Sequence, residues 1–153
     1  MTTVQLLVPA LVAVPQRGDA RGLRVPHLAA AVPMARREFL ADVVSRVDPT
    51  ACGEGAVVLS ELLGNAVRHA EPLDGVVLLR WQVKGGTIDI EVTDGGARDQ
   101  VRPLRPPRYA TSGRGLRIVR SLAHEWGVTE DADGARTVWA AVGGPTRRRR
   151  RAP

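Results

Sequence analysis

Two runs of alternating apolar residues, separated by Gly85-Gly86, constrain the fold of this chain more than any other feature. In residues 75–84 and 87–93 every second position is apolar. Side chains of a β-strand point alternately to its two faces, so each run is typical of a half-buried strand. A Gly-Gly pair between two such runs is typical of a tight hairpin turn. The sequence therefore predicts an antiparallel sheet with one covered face.

Three amphipathic segments are predicted to be helices that cover this sheet. In the second, apolar residues recur at intervals of three and four, which places them on one side of a helix. Pro33 suits the first turn of the first helix, and Asp48-Pro49 is predicted to end it. The predicted helices span residues 33–47, 53–70 and 115–126, and further strands span 128–130 and 135–142. The sequence thus predicts an α+β fold, a two-layer α/β sandwich with about three helices on one face of a mostly antiparallel sheet.

Both ends are predicted to lie outside the folded domain. The apolar run 4–14 is interrupted by Pro9 and is far shorter than the ~20 residues that span a bilayer, so it predicts a strand or a loosely docked arm. Residues 16–22 are typical of a linker. The predicted organisation is an arm or extra strand over 1–22, one domain over 23–143 and a disordered Arg-rich tail over 144–153.

The positive charge of the chain is confined to two blocks. The 153 residues carry 22 basic and 16 acidic side chains, a formal net charge of +6. Residues 1–96 hold nine basic and eleven acidic side chains, whereas 97–114 hold five Arg and one Asp, and 147–151 are all Arg. The terminal block fits either a solvated tail or a nucleic-acid contact. No aromatic residues interleave its arginines to stack on bases, so the sequence argues against nucleic-acid binding.

The single cysteine, Cys52, excludes an internal disulfide. The chain has one Cys and three His, which are few ligands for a Cys/His metal cluster. A reducing, cytoplasmic setting without membrane insertion is the prediction that follows.

Four polar residues of the second predicted helix fall on one side of it. Glu61, Asn65, Arg68 and His69 are spaced at i, i+4, i+7 and i+8. A solvated helix face is the ordinary interpretation of such a set. Gly64 argues for something more, because glycine inside a helix costs about 1 kcal/mol relative to alanine. Its missing side chain is predicted to admit a close neighbour.

Two glycine-containing segments are further candidates for a binding site. Asp94-Gly95-Gly96 follows an apolar strand, where a simple turn is the ordinary interpretation. Residues 112–116 (SGRGL) lead into the third predicted helix, and helix N-termini suit phosphate groups. The second segment matches neither a Walker A loop nor a Rossmann fingerprint. Each segment is weak evidence alone.

In combination, these segments resemble the GHKL (Bergerat) ATP-binding fold, and in particular the bacterial anti-sigma factor serine/threonine kinases. The resemblance rests on residues 60–70 (SELLGNAVRHA), 93–96 (TDGG) and 113–116 (GRGL), in this order, and covers about residues 23–142. It implies ATP and Mg²⁺ as ligands. Members of the family commonly form homodimers, so a homodimer is implied as well.

The resemblance assigns roles to individual residues. It implies that Asn65 holds Mg²⁺ through its side-chain oxygen and that Glu61 is the general base for a seryl hydroxyl. It implies that Asp94 accepts a hydrogen bond from the adenine amino group, while Gly95 and Gly96 let the backbone approach the base.

The loop before the third helix is implied to close over the polyphosphate. Gly113 and Gly115 match its glycines, Leu116 completes the motif, and Arg114 is expected near the phosphates by position. His69 is a further candidate for a nucleotide contact, with a hydrogen bond at the helix end as its ordinary alternative.

The function implied is that of an ATP- and Mg²⁺-binding regulatory protein. Such a protein phosphorylates a serine on an antagonist protein, sequesters a sigma factor, or does both. The chain has Arg98 where family members often have a further glycine, and its loop is short and rich in Arg and Pro. The alternative is therefore a non-catalytic, nucleotide-gated interaction module of the same fold.

Overall fold

The predicted hairpin forms the centre of an antiparallel sheet in the computed structural model, which describes residues 10–96 and 114–144. These residues form six strands and three helices. The strands are β1 (Val12–Arg17), β2 (Ala20–Pro26), β3 (Val76–Lys84), β4 (Thr87–Asp94), β5 (Glu125–Glu130) and β6 (Arg136–Gly143). The helices are α1 (Ala31–Val43), α2 (Pro49–His69) and α3 (Arg114–Leu122).

The order of strands across the sheet is β1-β2-β3-β4-β6-β5, and the pairings among the described strands are all antiparallel. Strand β6 therefore lies between β4 and β5, which brings the last strand beside the predicted hairpin. The alternation of β3 and β4 gives each strand a buried face, with Trp81 opposite Ile90 in the register. The two-layer α+β sandwich with a mostly antiparallel sheet is confirmed.

Helix α2 crosses the covered face of the sheet and forms the centre of the core. It begins after Asp48, whose carboxylate accepts a hydrogen bond of 2.9 Å from the Ala51 amide, and Pro49 occupies its first turn. Both are favoured at a helix start, because the cap satisfies a free amide and proline has none to satisfy. Asp48-Pro49 was predicted to end the first helix, and instead it begins the second.

Aromatic packing and one buried carboxylate fix α1 against the sheet. Phe39 of α1 meets Trp81 of β3 edge to face, with ring centroids 5.6 Å apart. The indole Nε1–H of Trp81 donates a 2.8 Å hydrogen bond to Asp42, one turn along α1 from Phe39. Arg21 of β2 forms a 2.8 Å ion pair with the same carboxylate. This arrangement satisfies the polar groups at the edge of an apolar core.

Three details of the sequence prediction are wrong. Residues 16–22 are not a linker, because they lie in β1, β2 and the turn between these strands. Helix α3 ends at Leu122, so Trp126 lies in β5. Trp139 was predicted to be a core residue, but it lies on the uncovered face of the sheet, because its strand neighbours Val138 and Ala140 point towards the helices.

Several predictions fall outside the described residues. These are most of the N-terminal arm, the loop over 97–113 and the Arg-rich tail from 145 onward. The domain boundaries stay a prediction, and the one at 22/23 falls inside β2. Among the helices of the described ranges, none combines the length and the apolarity needed to cross a bilayer.

Candidate functional site

A small cavity lies between α2, the first turn of α3 and the end of the sheet formed by β4, β6 and β5. Its polar lining residues are Asn65 from α2, Asp94 from β4 and Arg136 from β6. The other described lining side chains, Leu116 of α3 among them, are aliphatic. The cavity volume is about 20 Å³, which is room for about one water molecule. The fold thus brings together three predicted site residues, Asn65, Asp94 and Leu116.

Helix α2 carries Asn65 at the rim of this cavity. The side chain is half-buried, and its Oδ1 accepts a hydrogen bond of 3.4 Å from the guanidinium of Arg68, one turn later. Gly64 explains how Arg68 reaches this place, because a Cβ at Gly64 would lie 3.2 Å from an Arg68 nitrogen. The close neighbour that the sequence predicted at Gly64 is therefore this guanidinium.

Asp94, the last residue of β4, is buried at the bottom of the cavity, with 1% of its surface exposed. Its Oδ1 accepts a 2.8 Å hydrogen bond from the Gly96 amide. Its Oδ2 accepts a 3.0 Å hydrogen bond from Arg136, and the two charged groups form a buried ion pair. Charge-assisted bonds of this kind are stronger than neutral ones, so the carboxylate is held firmly in one orientation.

The two glycines after Asp94 are required by close backbone contacts. The Gly95 amide donates a 2.7 Å hydrogen bond to the Glu71 carbonyl, and the Glu71 amide donates one of 2.9 Å to the Gly96 carbonyl. A Cβ at Gly95 would lie 2.7 Å from the Pro72 carbonyl oxygen. At Gly96, where φ is +95°, a Cβ would lie 2.7 Å from the Gly134 carbonyl oxygen. These contacts fasten the end of β4 to the segment that follows α2 and place it against the turn between β5 and β6.

His27 supports the same region from the loop after β2. Its Nε2 lies 3.1 Å from the Ala66 carbonyl oxygen and 2.9 Å from the Ala70 carbonyl oxygen. The Ala66 carbonyl also accepts a 3.2 Å hydrogen bond from the Ala70 amide, whereas the Ala70 carbonyl lies beyond the last helical turn, where a ring N–H can act as its donor. His27 therefore fixes the end of α2, close to Asn65. The sequence prediction missed this role, because the two partners lie about forty positions away along the chain.

The other predicted site residues are more distant or incompletely described. Glu61 is half-buried one turn before Asn65 and His69 is exposed one turn after it, and neither lines the cavity. Arg114 and Gly115 form the start of α3. Gly113 lies outside the described residues.

Arg136 is the functional candidate that sequence reasoning missed. A signal was present, because the last strand alternates Arg136, Val138, Ala140 and Val142 on its covered face. An arginine in the register of buried aliphatic residues needs a partner, since an unpaired buried charge is costly. The register places it directly opposite Asp94.

The arrangement suits a ligand with a planar ring that carries a hydrogen-bond donor. A buried carboxylate at the bottom accepts hydrogen bonds, aliphatic walls suit the faces of an aromatic ring, and Asn65 offers an oxygen at the rim. That oxygen fits Mg²⁺, which prefers oxygen ligands and takes the rest of its ligands from water and substrate phosphates. Among the described residues there is no cluster of three or more His, Cys, Asp or Glu that could hold a metal without such help.

Comparisons with known proteins agree with this geometry. The histidine kinase-like ATPase domain family matches residues 25–141. A crystal structure of the RsbU and RsbW domains of Rv1364c from Mycobacterium tuberculosis has a similar fold, with a TM-score of 0.62 at 17% sequence identity. The similarity covers 88% of this chain and 35% of that one, so the chain spans about a third of that structure. No curated protein has a matching sequence. The chain belongs to the histidine kinase-like ATPase domain family, which is a family of ATP-binding domains.

Proposed function

We propose that this chain is an ATP- and Mg²⁺-dependent regulatory protein of the anti-sigma factor serine kinase type. The observation that carries the proposal is the convergence of Asn65 and Asp94 on one cavity, although they lie on a helix and on a strand. The family match supports the ATP-binding half of the proposal. The regulatory half rests on the resemblance of the motifs to the anti-sigma factor kinases.

Different residues of the cavity contact different parts of the nucleotide. The adenine amino group donates to the carboxylate of Asp94, and the aliphatic walls exclude water from the ring faces. Asn65 would hold Mg²⁺ at the rim, where the ion neutralises charge on the phosphates. Arg114, at the start of α3, is proposed to contact the same phosphates because of its position in the motif. The sequence between Gly96 and α3 is proposed to add charge complementarity, since residues 97–114 carry five Arg against one Asp.

Phosphoryl transfer from this arrangement needs few protein groups. The seryl hydroxyl oxygen of the antagonist attacks the γ-phosphorus, the bond between that phosphorus and the β–γ bridging oxygen breaks, and ADP leaves. Glu61 accepts the hydroxyl proton. It lies one turn before Asn65, and this position allows the proton transfer once substrate is bound. Positioning and charge stabilisation account for most of the rate in such reactions.

The partners that fit this function are proteins. We propose a sigma factor, an antagonist of the anti-anti-sigma type, or both, in the cytoplasm, without nucleic acid or membrane as a ligand. A homodimer is also part of the proposal. The uncovered sheet face holds a groove of about 370 Å³ whose lining includes Arg17, Arg80, Asp89 and Glu91, with Arg80 opposite Glu91 in the register. Because this lining carries both signs of charge, two copies related by a two-fold axis can pair basic with acidic residues. Sedimentation measurements test the homodimer. Wild type should sediment as a dimer, and Glu91→Arg should sediment as a monomer.

A non-catalytic nucleotide-gated module is the second candidate. It is favoured by Arg98, which stands where the kinases often have glycine, and by the position of Glu61 outside the cavity lining. In this case ATP binds and changes the affinity for a partner, but no phosphoryl group is transferred.

Calorimetric titration with Mg·ATP tests nucleotide binding. Wild type and Asp19→Asn, a control in the exposed turn between β1 and β2, should bind with one site per chain. Asp94→Asn should lose most of the affinity, because an amide presents one acceptor where the carboxylate presents two. Thermal melting of each variant checks the fold. Equal binding by Asp94→Asn and wild type would contradict the proposed site.

Transfer of label from [γ-³²P]ATP to proteins of a cytoplasmic extract tests the kinase. A labelled band should appear with wild type and with Glu54→Gln, a control two turns earlier on α2, but not with Glu61→Gln. Nucleotide binding without any labelled band would favour the non-catalytic module.

A further inference from the structure

Arg136 lies between two carboxylates on neighbouring strands. The register places Asp94 of β4 opposite Arg136 on one side and Glu130 of β5 opposite it on the other. Directly opposed residues of antiparallel strands have Cβ atoms about 4.5–5.5 Å apart and point to the same face. Asp94 is buried and forms the 3.0 Å ion pair, whereas Glu130 is exposed at the sheet edge. One guanidinium therefore has an inner and an outer carboxylate within reach.

The inner position of Arg136 conflicts with a bound base. Oδ1 of Asp94 accepts a hydrogen bond from Gly96 and Oδ2 accepts one from Arg136, so a donor on the base must share an oxygen with one of these two groups. The cavity has room for about one water molecule, and a purine base is several times larger than a water molecule. A base that reaches Asp94 must therefore displace part of the cavity lining.

Arg136 has the longest side chain among the described residues that line the cavity. The aliphatic lining residues from the sheet, such as Val92 and Val138, are short and stiff, and they cannot swing away without moving a strand. The long arginine side chain can change rotamers while the backbone stays in place. Arg136 is also the first residue of β6, next to the exposed turn 131–134, so solvent lies close to it.

We propose that Arg136 is a positioning residue that exchanges between these two carboxylates. Without nucleotide it holds Asp94, and when a base enters it moves to Glu130, which frees the inner carboxylate for the amino group of the base. The proposal rests on the proposed function, since it takes Asp94 as the group that receives the base. The exchange lowers the nucleotide affinity below the value that the contacts in the pocket alone would give, because each binding event breaks the buried ion pair between Arg136 and Asp94.

The exchange predicts that substitutions of Arg136 and of Glu130 change the nucleotide affinity in opposite directions. Arg136→Met removes the competing charge and should tighten binding about tenfold, the equivalent of one charge-assisted hydrogen bond. Glu130→Gln removes the outer partner and should weaken binding about threefold, as expected for a solvent-exposed ion pair. In the double variant Glu130→Gln should have no effect beyond that of Arg136→Met, because the residue that connects the two sites is gone.

Calorimetric titration with adenosine measures these affinity changes at the base site alone. Mg·ATP is titrated in parallel. Matched controls are Arg37→Met on the exposed side of α1 and Glu125→Gln, which lies on β5 but on the opposite face of the sheet. Both controls should bind like wild type. Removal of Arg136 leaves Asp94 buried without its cation, so thermal melting must show that this variant is folded. If Arg136→Met is not folded, the affinity of Glu130→Gln alone decides the test, because Glu130 is exposed and its substitution should leave the fold intact.

The outcomes separate the exchange from the function on which it rests. Weaker binding by Glu130→Gln with unchanged Glu125→Gln, together with tighter binding by a folded Arg136→Met, supports the exchange. If wild type binds Mg·ATP but Glu130→Gln binds equally well, or a folded Arg136→Met binds no tighter, the exchange is overturned and the nucleotide site stands. If wild type binds neither adenosine nor Mg·ATP, both proposals fail.

Discussion

Replacement of Gly95 by alanine tests how the end of β4 is fastened to the segment after α2. The new Cβ would lie 2.7 Å from the Pro72 carbonyl oxygen and 3.0 Å from that of Glu71. Both are backbone atoms, so the two segments must separate. Overpacking of this kind costs about 1–3 kcal/mol. Separation also weakens the two backbone hydrogen bonds between Glu71 and the glycine pair, each worth about 1 kcal/mol. We expect a total loss of about 2–4 kcal/mol.

Urea denaturation followed by circular dichroism measures this loss. Thermal melting should shift downward by about 5–15 °C for a chain of this size. Gly53→Ala is the matched control, because a Cβ there meets no heavy atom within 4 Å and the residue is exposed on α2. That variant should gain up to about 1 kcal/mol from helix propensity. If Gly95→Ala melts at the same temperature as wild type, the close approach inferred at this strand end is wrong.

Three further substitutions test other parts of the fold. Asp48→Ala removes the N-cap of α2 and should lower the free energy of unfolding by about 1 kcal/mol in urea denaturation. Trp81→Phe keeps a ring in the core but removes the 2.8 Å hydrogen bond to Asp42, for a loss of about 1 kcal/mol by the same measurement. Gly127→Val puts a side chain where a Cβ would lie 2.8 Å from the Trp139 ring. The displaced indole should become more exposed and its fluorescence should shift to longer wavelength. An unchanged emission spectrum would contradict this packing.

The antiparallel sheet was predictable because its central strands alternate strictly. Burial of one face requires a period of two, and residues 76–84 and 87–94 keep that period on both sides of the Gly-Gly turn. The extra N-terminal strand was among the expectations, but the hairpin turn at Gly18-Asp19 was missed because it is surrounded by polar residues that are also typical of a linker. Asp48-Pro49 was assigned to the wrong helix, because the same pair is compatible with the end of one helix and the start of the next.

The candidate site was predictable only as far as its motifs extend. Asn65 and Asp94 were named from local patterns, and the fold brings them to one cavity. Arg136 and His27 could not be named in this way, because their partners are distant in the sequence and are determined by strand register and helix packing. Local patterns identify the groups that face a ligand, whereas the groups that position them depend on the tertiary structure.

The central claim is that Asp94 at the bottom of the cavity receives the amino group of adenine. Competition between Mg·ATP and Mg·GTP in calorimetric titration with the wild-type chain tests it most directly. Guanine carries a carbonyl oxygen where adenine carries the amino group, so two acceptors would face each other in a buried site. We expect one ATP site per chain and an affinity for GTP that is lower by about 100-fold. Comparable affinities for the two nucleotides, or no binding of ATP, would contradict it.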